Sequence, residues 1–345
     1  MQIRQTRAEV PAPVIPAGVS VLSFTECDQF AEAIRHEDAE ILPTESGCFH
    51  QEVILMPLAG TVVRYGRHDG PYLCSATASR EHVSVVLDPV SSGGTAQNGQ
   101  AIYEAKALGL HGPGAEHFSV ASPGEYFYAP FPERQFHDAW RTATRGERTI
   151  GAGEFQRICP EGPRWKALLE TIAAVRHLAV KHPEVWRDPR QRAAMERSLL
   201  TACVLAGASD PQRTVAHTDR PSPRDHARVL RRALAHLHEL AEQPVYTLDL
   251  CASADVSERT LRTVFREYFG MGPMHYLKLH RLQQVRRALC ADSPTDSSVK
   301  SIALTHGFWE LGRFAADYRR LFGESPAETL RRAAPLAMTP PRKRW

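Results

Sequence analysis

Residues 306–326 read "HGFWELGRFAADYRRLFGESP", a stretch crowded with aromatic residues and arginines and broken by three glycines. Aromatic side chains ask for burial, arginines for solvent or an anion, and glycines for turns. One amphipathic helix held between two turns meets all three demands. Phe314, Tyr318 and Leu321 stand at i, i+4 and i+7 and form a face to bury, while Arg313, Arg319 and Arg320 fall outside it. Ile302 and Ala303 lie on a shorter helix ahead, and Gly307 makes the turn between the two helices. Phe308 plugs the angle, and Gly323 and Pro326 stop the second helix. The pattern is a helix-turn-helix, whose second helix can lie in the major groove of DNA.

The same unit occurs earlier, in residues 250–273, "LCASADVSERTLRTVFREYFGMGP". A shift of 53 places Leu261 on Phe314, Phe265 on Tyr318, Phe269 on Phe322, Gly270 on Gly323 and Pro273 on Pro326. Just upstream the shift is 52, with Val256 on Phe308 and Leu250 on Ile302, so one residue has been inserted in a turn. In the first copy Ser257 caps the recognition helix, which is expected to run to about Tyr268. Between the copies, "PMHYLKLHRLQQVRRALC" has a helical stripe of Leu282, Val285 and Leu289 that would fix the two units to each other. A single helix-turn-helix pattern is more often plain helix packing. Two in tandem reverse that reading, because two recognition helices can enter successive major grooves about 34 Å apart without a dimer.

Charge points the same way. From Arg224 onward there are 20 Lys/Arg against 13 Asp/Glu, a net of +7; the preceding residues have 22 against 26, a net of −4. A basic C-terminal third is suited to a polyanion. The 345 residues, 43% hydrophobic and 23% charged, suffice for two domains. Seven cysteines stand singly with no C-x-x-C pair, which argues against a disulfide framework and a zinc ribbon and for reduced thiols in the cytoplasm. The first residues, "MQIRQTRAEVPAPVIPAG", have no apolar core of signal-peptide length, and no run is expected to span a membrane.

The fold expected is α+β: a β-rich, cupin-like N-terminal domain with a helical pair, then an all-α domain with two helix-turn-helix units. Residues 1–160 form the β-rich sensor domain, 161–210 the helical pair, 211–224 a linker, 225–335 the DNA-binding domain and 336–345 a basic tail. Short β-branched runs such as "EHVSVVLDPV" between turn clusters carry the first assignment. "DQFAEAIRH" reads as one amphipathic helix with Phe30, Ala33 and Ile34 on one side. In "WKALLETIAAVRHLAVKH" the stripe is Leu168, Ile172, Val175 and Ala179, a surface for dimerisation or for packing at home. A second helix is closed by Gly207 as its C-cap. Ser222 and Pro223 start a further helix, with Asp225 in its first turn and a stripe of Val229, Ala233, Leu237 and Leu240.

With these residues in view, 225–335 resembles the DNA-binding domain of the AraC/XylS family of transcription regulators. The match lies in the Ile-Ala pair, Gly-Phe, the Arg-Phe-x-x-x-Tyr-Arg run and Phe-Gly-x-Ser-Pro of "SIALTHGFWELGRFAADYRRLFGESPAETLR". The resemblance implies double-stranded promoter or operator DNA as partner, contact with RNA polymerase, a homodimer, a small-molecule effector and a role such as activation. It implies no cofactor and no catalytic residue. It puts Arg259, Arg262 and Thr263 where family members reach base edges, and Leu311, Gly312 and Ala316 at the groove-facing places of the second unit, with Arg313 beside them. The second set departs from the polar readers of some relatives.

Two rival readings concern the N-terminal domain. One is a cupin-like metalloenzyme with an appended DNA-binding domain, for which His111, Glu116 and His117 in "HGPGAEHF" are the best ligands. The histidine and glutamate spacing of cupins is missing, and the expectation is no metal. The other is a regulator without effector, whose N-terminal domain serves only to dimerise. Tyr126, Tyr128, Phe131 and Trp140 would line an effector pocket or simply fill the core.

Overall fold

The computed structural model describes residues 18–33, 39–45, 49–93, 95–102, 106–146, 149–209, 223–240, 245–291 and 298–333. Among these, the short β-branched and aromatic runs become β1 (Ser20–Phe24), β2 (Glu40–Pro43), β3 (Gln51–Pro57), β4 (Val62–His68), β5 (Tyr72–Thr77) and β6 (His82–Ser91). They continue as β7 (Ala96–Gln97), β8 (Gln100–Ala101), β9 (Leu108–His111), β10 (Glu116–Ala121), β11 (Gly124–Pro132) and β12 (Phe155–Ile158). Seven strands form one sheet, in the order β1-β3-β4-β11-β6-β9-β12, and five form a second, β2-β5-β10-β7-β8. Helix α1 (Cys27–Ala33) leads from β1 to β2. It buries Cys27 and Phe30; Ala33, expected inside, is exposed at the helix end, and Ile34 lies outside the described residues.

Because side chains alternate along a strand, each sheet has two different faces. On the larger sheet Val63, Tyr65, Val85, Leu87, Phe127 and Phe131 face a layer of three helices, α2 (Glu133–Thr144), α3 (Gly162–Lys181) and α4 (Pro189–Ala208). The expected stripe of α3 is buried in this layer, together with Trp165 and with Leu199 and Cys203 of α4. The stripe is thus used at home and is not a free surface for a second copy. Gly207 is not a C-cap either: α4 runs on to Ala208, and Ser209 takes the cap position. A Cβ on Gly207 would stand 2.6 Å from the ring of the fully buried Trp140, so glycine is required by a packing contact.

The chain then forms α5 (Pro223–Glu239), with Val229, Ala233 and Leu237 buried as the periodicity requires and Leu240 beyond it half-buried. Ser222, most of the expected linker and the expected basic tail lie outside the described residues. Among the described residues six further helices follow: α6 (Thr247–Ala254), α7 (Glu258–Phe269), α8 (Pro273–Cys290), α9 (Val299–Thr305), α10 (Leu311–Phe322) and α11 (Pro326–Ala333). The outer face of the smaller sheet packs on this helical part. Leu42, Leu73 and Phe118 join one apolar cluster with residues of α5, α7 and α8.

Candidate nucleic-acid interface

The first unit is α6, a turn and α7. Asp255 ends α6 in the left-handed region at φ 56°, and Val256 packs in the angle. Ser257 caps α7, its Oγ accepting from the Thr260 N–H at 3.2 Å. Leu261, Val264, Phe265, Tyr268 and Phe269 are buried, so the opposite face with Arg259, Arg262 and Thr263 is left in solvent. Arg262 is held by Glu258 one turn back, at 2.7 Å. Thr263 donates its hydroxyl proton to the Arg259 carbonyl at 3.0 Å, which leaves both lone pairs of the oxygen able to accept.

The second unit repeats the plan. Ser298 caps α9, Gly307 makes the turn at φ 79°, and the Phe308 ring lies 4.9 Å from that of Phe314. A left-handed turn residue costs a glycine nothing, which is why glycine stands here opposite Asp255. Phe314, Tyr318 and Leu321 are buried in α10, and the Tyr318 hydroxyl donates to Thr329 Oγ1 of α11 at 2.9 Å. Gly312 and Arg313 are exposed and Leu311 is half-buried. Glu310 precedes α10 without giving it a side-chain cap. Arg320 pairs with Asp317, and Arg319 stands 3.8 Å from Glu328.

Helix α8 locks the two units together. Its Tyr276 and Leu277 belong to the core of the first, with Tyr276 stacked on Phe269 at 4.8 Å. Its Leu282, Val285 and Leu289 belong to the core of the second. Lys278 adds an ion pair at 2.6 Å to Asp317, a largely buried carboxylate on α10.

Residues 250–332 match the sequence profile of a family described as a helix-turn-helix domain. The "XylDLEGF operon transcriptional activator 2" of Pseudomonas putida is 35% identical over 99 residues, 29% of this chain and 63% of that protein. The C-terminal domain is similar to that helix-turn-helix family and to this activator. A "probable thc operon regulatory protein" of Rhodococcus erythropolis is 30% identical over 170 residues, 49% of each chain. This chain thus spans about half of one relative and under two thirds of the other. The AraC-like transcriptional activator CuxR, a solved structure, shares 14% identity at a TM-score of 0.38, over 77% of this chain and 94% of that one.

The C-terminal domain brings Ser257, Arg259, Arg262 and Thr263 together at the start of and along α7, and Leu311, Gly312 and Arg313 in the first turn of α10. Among the described residues none of these seven contributes to a hydrophobic core except Leu311, which packs at the edge of the second unit. The attachment of the C-terminal domain to the smaller sheet was not visible in the sequence. The Phe118 ring lies edge-on to those of Tyr268 and Phe269, at 5.9 and 6.1 Å. Around it run Arg231–Glu116, His280–Glu40 at 2.8 Å, Arg286–Glu26 at 2.7 Å and Arg287–Asp28 at 2.6 Å. On α8 the partners recur at 280, 283 and 287, with Gln283 donating to Asp28 at 2.8 Å, which is one helix face.

Between the two sheets the sequence expectations are corrected. Glu116 is no ligand beside the histidines: it points outward to Arg231, while His117 Nδ1 meets His111 Nε2 at 3.1 Å inside. Among the described residues no group of three His, Cys, Asp or Glu is placed to hold a metal. Trp140 and Phe131 belong to the core under the helices, whereas the Arg64 guanidinium carbon stands over Tyr128, 3.9 Å from the ring centroid, and Tyr126 neighbours His68. Burial and Arg64 push His117 down to about 4, burial and the neighbouring His117 push His111 well below its ordinary value, and burial pushes Asp88 up to about 7 against a hydrogen bond from Thr95. The Gln51 side chain is fully buried with neither amide atom hydrogen-bonded.

Proposed function

We propose that the whole chain is a sequence-specific transcription regulator that reads double-stranded DNA through α7 and α10. The observation that carries this reading is the sorting of side chains in a repeated unit. All the aromatic residues of α7 are buried, and its outer face offers two arginines and a threonine, the groups that pair with base edges. In this reading Arg259, Arg262 and Thr263 meet bases, Ser257 sets the start of their helix, and Arg313 meets a phosphate beside Leu311 and Gly312. The test is binding of the full chain to promoter fragments over a range of salt. Affinity is expected to fall steeply between 50 and 200 mM, by about 10³ or more for six or more phosphate contacts. An affinity indifferent to salt would contradict it.

A small polar effector is proposed for the space between the two sheets. Support comes from Gln51, buried without partners on the face it shares with Val53, and from the polar residues Arg64 and His68 of β4 and Asp88 of β6 in the same sheet. An unpaired buried amide costs about 1–3 kcal/mol, which a ligand group would recover. Contact with RNA polymerase, as an activator, follows from the family likeness alone. A homodimer would use the outer side of α3 and α4, where Val180 and Leu205 are exposed, since the apolar stripe of α3 is already covered.

A further inference from the structure

The two helix-turn-helix units differ by one residue, and the structure locates it. Asp255 and Gly307, both with positive φ, close the first helices, and Val256 and Phe308 follow them, 52 apart. The residues ahead of the second helices, Ser257 and Glu310, and the closing glycines, Gly270 and Gly323, are 53 apart. The additional residue therefore lies between Phe308 and Glu310. It is Trp309.

Trp309 is 70% exposed, whereas Trp140, Trp165 and Trp186 are at 0, 9 and 1%. It adds nothing to the core of its unit, whose angle Phe308 already fills. Gly312, the second residue of the helix that follows, is equally unexplained by the free protein. Its φ is not in the left-handed region, and a Cβ added there would meet nothing within 4 Å. Only proline is a poorer helix former. A large apolar ring and a missing side chain thus mark the leading turn of α10, with Arg313, exposed, beside them.

We propose that this leading turn grips DNA chiefly by apolar contact. Trp309 lays its ring against deoxyribose and base edges at the groove wall, Gly312 lets the helix backbone approach the DNA closely, and Arg313 holds the adjoining phosphate. DNA is the occupant because the ring continues the surface of a reading helix and because Arg313, exposed in the adjoining turn, is cationic. Discrimination under α10 then comes from thymine methyl groups and groove shape, where α7 uses hydrogen bonds. The proposal rests on the assignment of α7 and α10 as the DNA-reading helices.

The experiment uses the full chain and a duplex recovered by selection with the wild-type protein. Affinity, melting temperature and acrylamide quenching of tryptophan fluorescence are measured for wild type, Trp309→Ala, Trp309→Phe and Gly312→Ala. Trp309→Ala should lose about tenfold in affinity, the scale of one aromatic contact, at an unchanged melting temperature, while Trp309→Phe keeps most of the affinity. Gly312→Ala should weaken binding while its melting temperature holds or rises, a combination that a purely structural glycine does not give. DNA should shield wild-type fluorescence from acrylamide, and the shielded part should be missing in Trp309→Phe. If wild type binds the duplex and Trp309→Ala and Gly312→Ala bind it equally well, the proposal is overturned. Unchanged quenching on binding overturns it too. If wild type selects no duplex, the assignment of the reading helices falls, and the proposal with it.

Discussion

Asp88 and Gly207 show what single residues reveal once the fold is known. Burial holds the Asp88 carboxyl at about 7, above its ordinary 3.8. A carboxyl raised on folding favours the folded state when protonated, so its cost is absent below about 4, grows as pH rises, and is complete above 7. Asp88→Asn is therefore expected to stabilise the protein by up to a few kcal/mol at pH 8, and by much less at pH 4.5. Chemical denaturation at both pH values checks the sign; a larger gain at the lower pH would refute it. Gly207→Ala should cost about 1–3 kcal/mol, because the added methyl meets the immobile Trp140 ring. Neither residue could be judged from the sequence. Gly207 resembled a helix stop, and the ring that requires it comes from a helix far back in the chain. Glu116 and His117 were separable in principle, since adjacent residues on a strand face opposite ways, but only the strand assignment makes that rule usable.

At the scale of elements, the periods of 3.6 and 53 residues carried most of the information. The stripes of α7 and α10 are buried as spaced, and the two units keep their caps and closing glycines in register. What the period could not give is the partner of a stripe. That of α3 faces its own sheet and α4, because an apolar face is satisfied by whichever surface reaches it first. The two reading helices are expected to work unequally. Arg262→Ala should cost about 1–3 kcal/mol on the preferred site and less on sites changed at one block of bases, relaxing preference there. Arg313→Ala should weaken all duplexes about evenly and reduce the salt slope by about one. Titrations of a panel of single-base variants decide between them. If Arg313→Ala alters the order of preference and Arg262→Ala does not, the roles are reversed.

In the whole molecule, the C-terminal domain is fastened to the outer face of the smaller sheet, and the polar interior lies on that sheet's other side. Glu26, Asp28, Glu40 and Glu116 place acidic groups against Arg231, His280, Arg286 and Arg287, so part of the basic excess of the C-terminal third neutralises the N-terminal domain. The arginines of α7 and α10 remain outside that contact. The charge asymmetry of the sequence therefore has two origins, an internal interface and the exposed arginines of α7 and α10, and composition alone merges them. The central claim is that this exposed surface reads DNA sequence. Its most direct test is selection of bound duplexes from a random pool by the full chain, alongside Arg259→Ala/Arg262→Ala. Wild type should enrich a site of two blocks about one helical turn apart. One block should be sharply defined, and only that block should lose definition in the double variant. A wild-type pool that stays random, or a double variant that recovers the same site with the same definition, would contradict it.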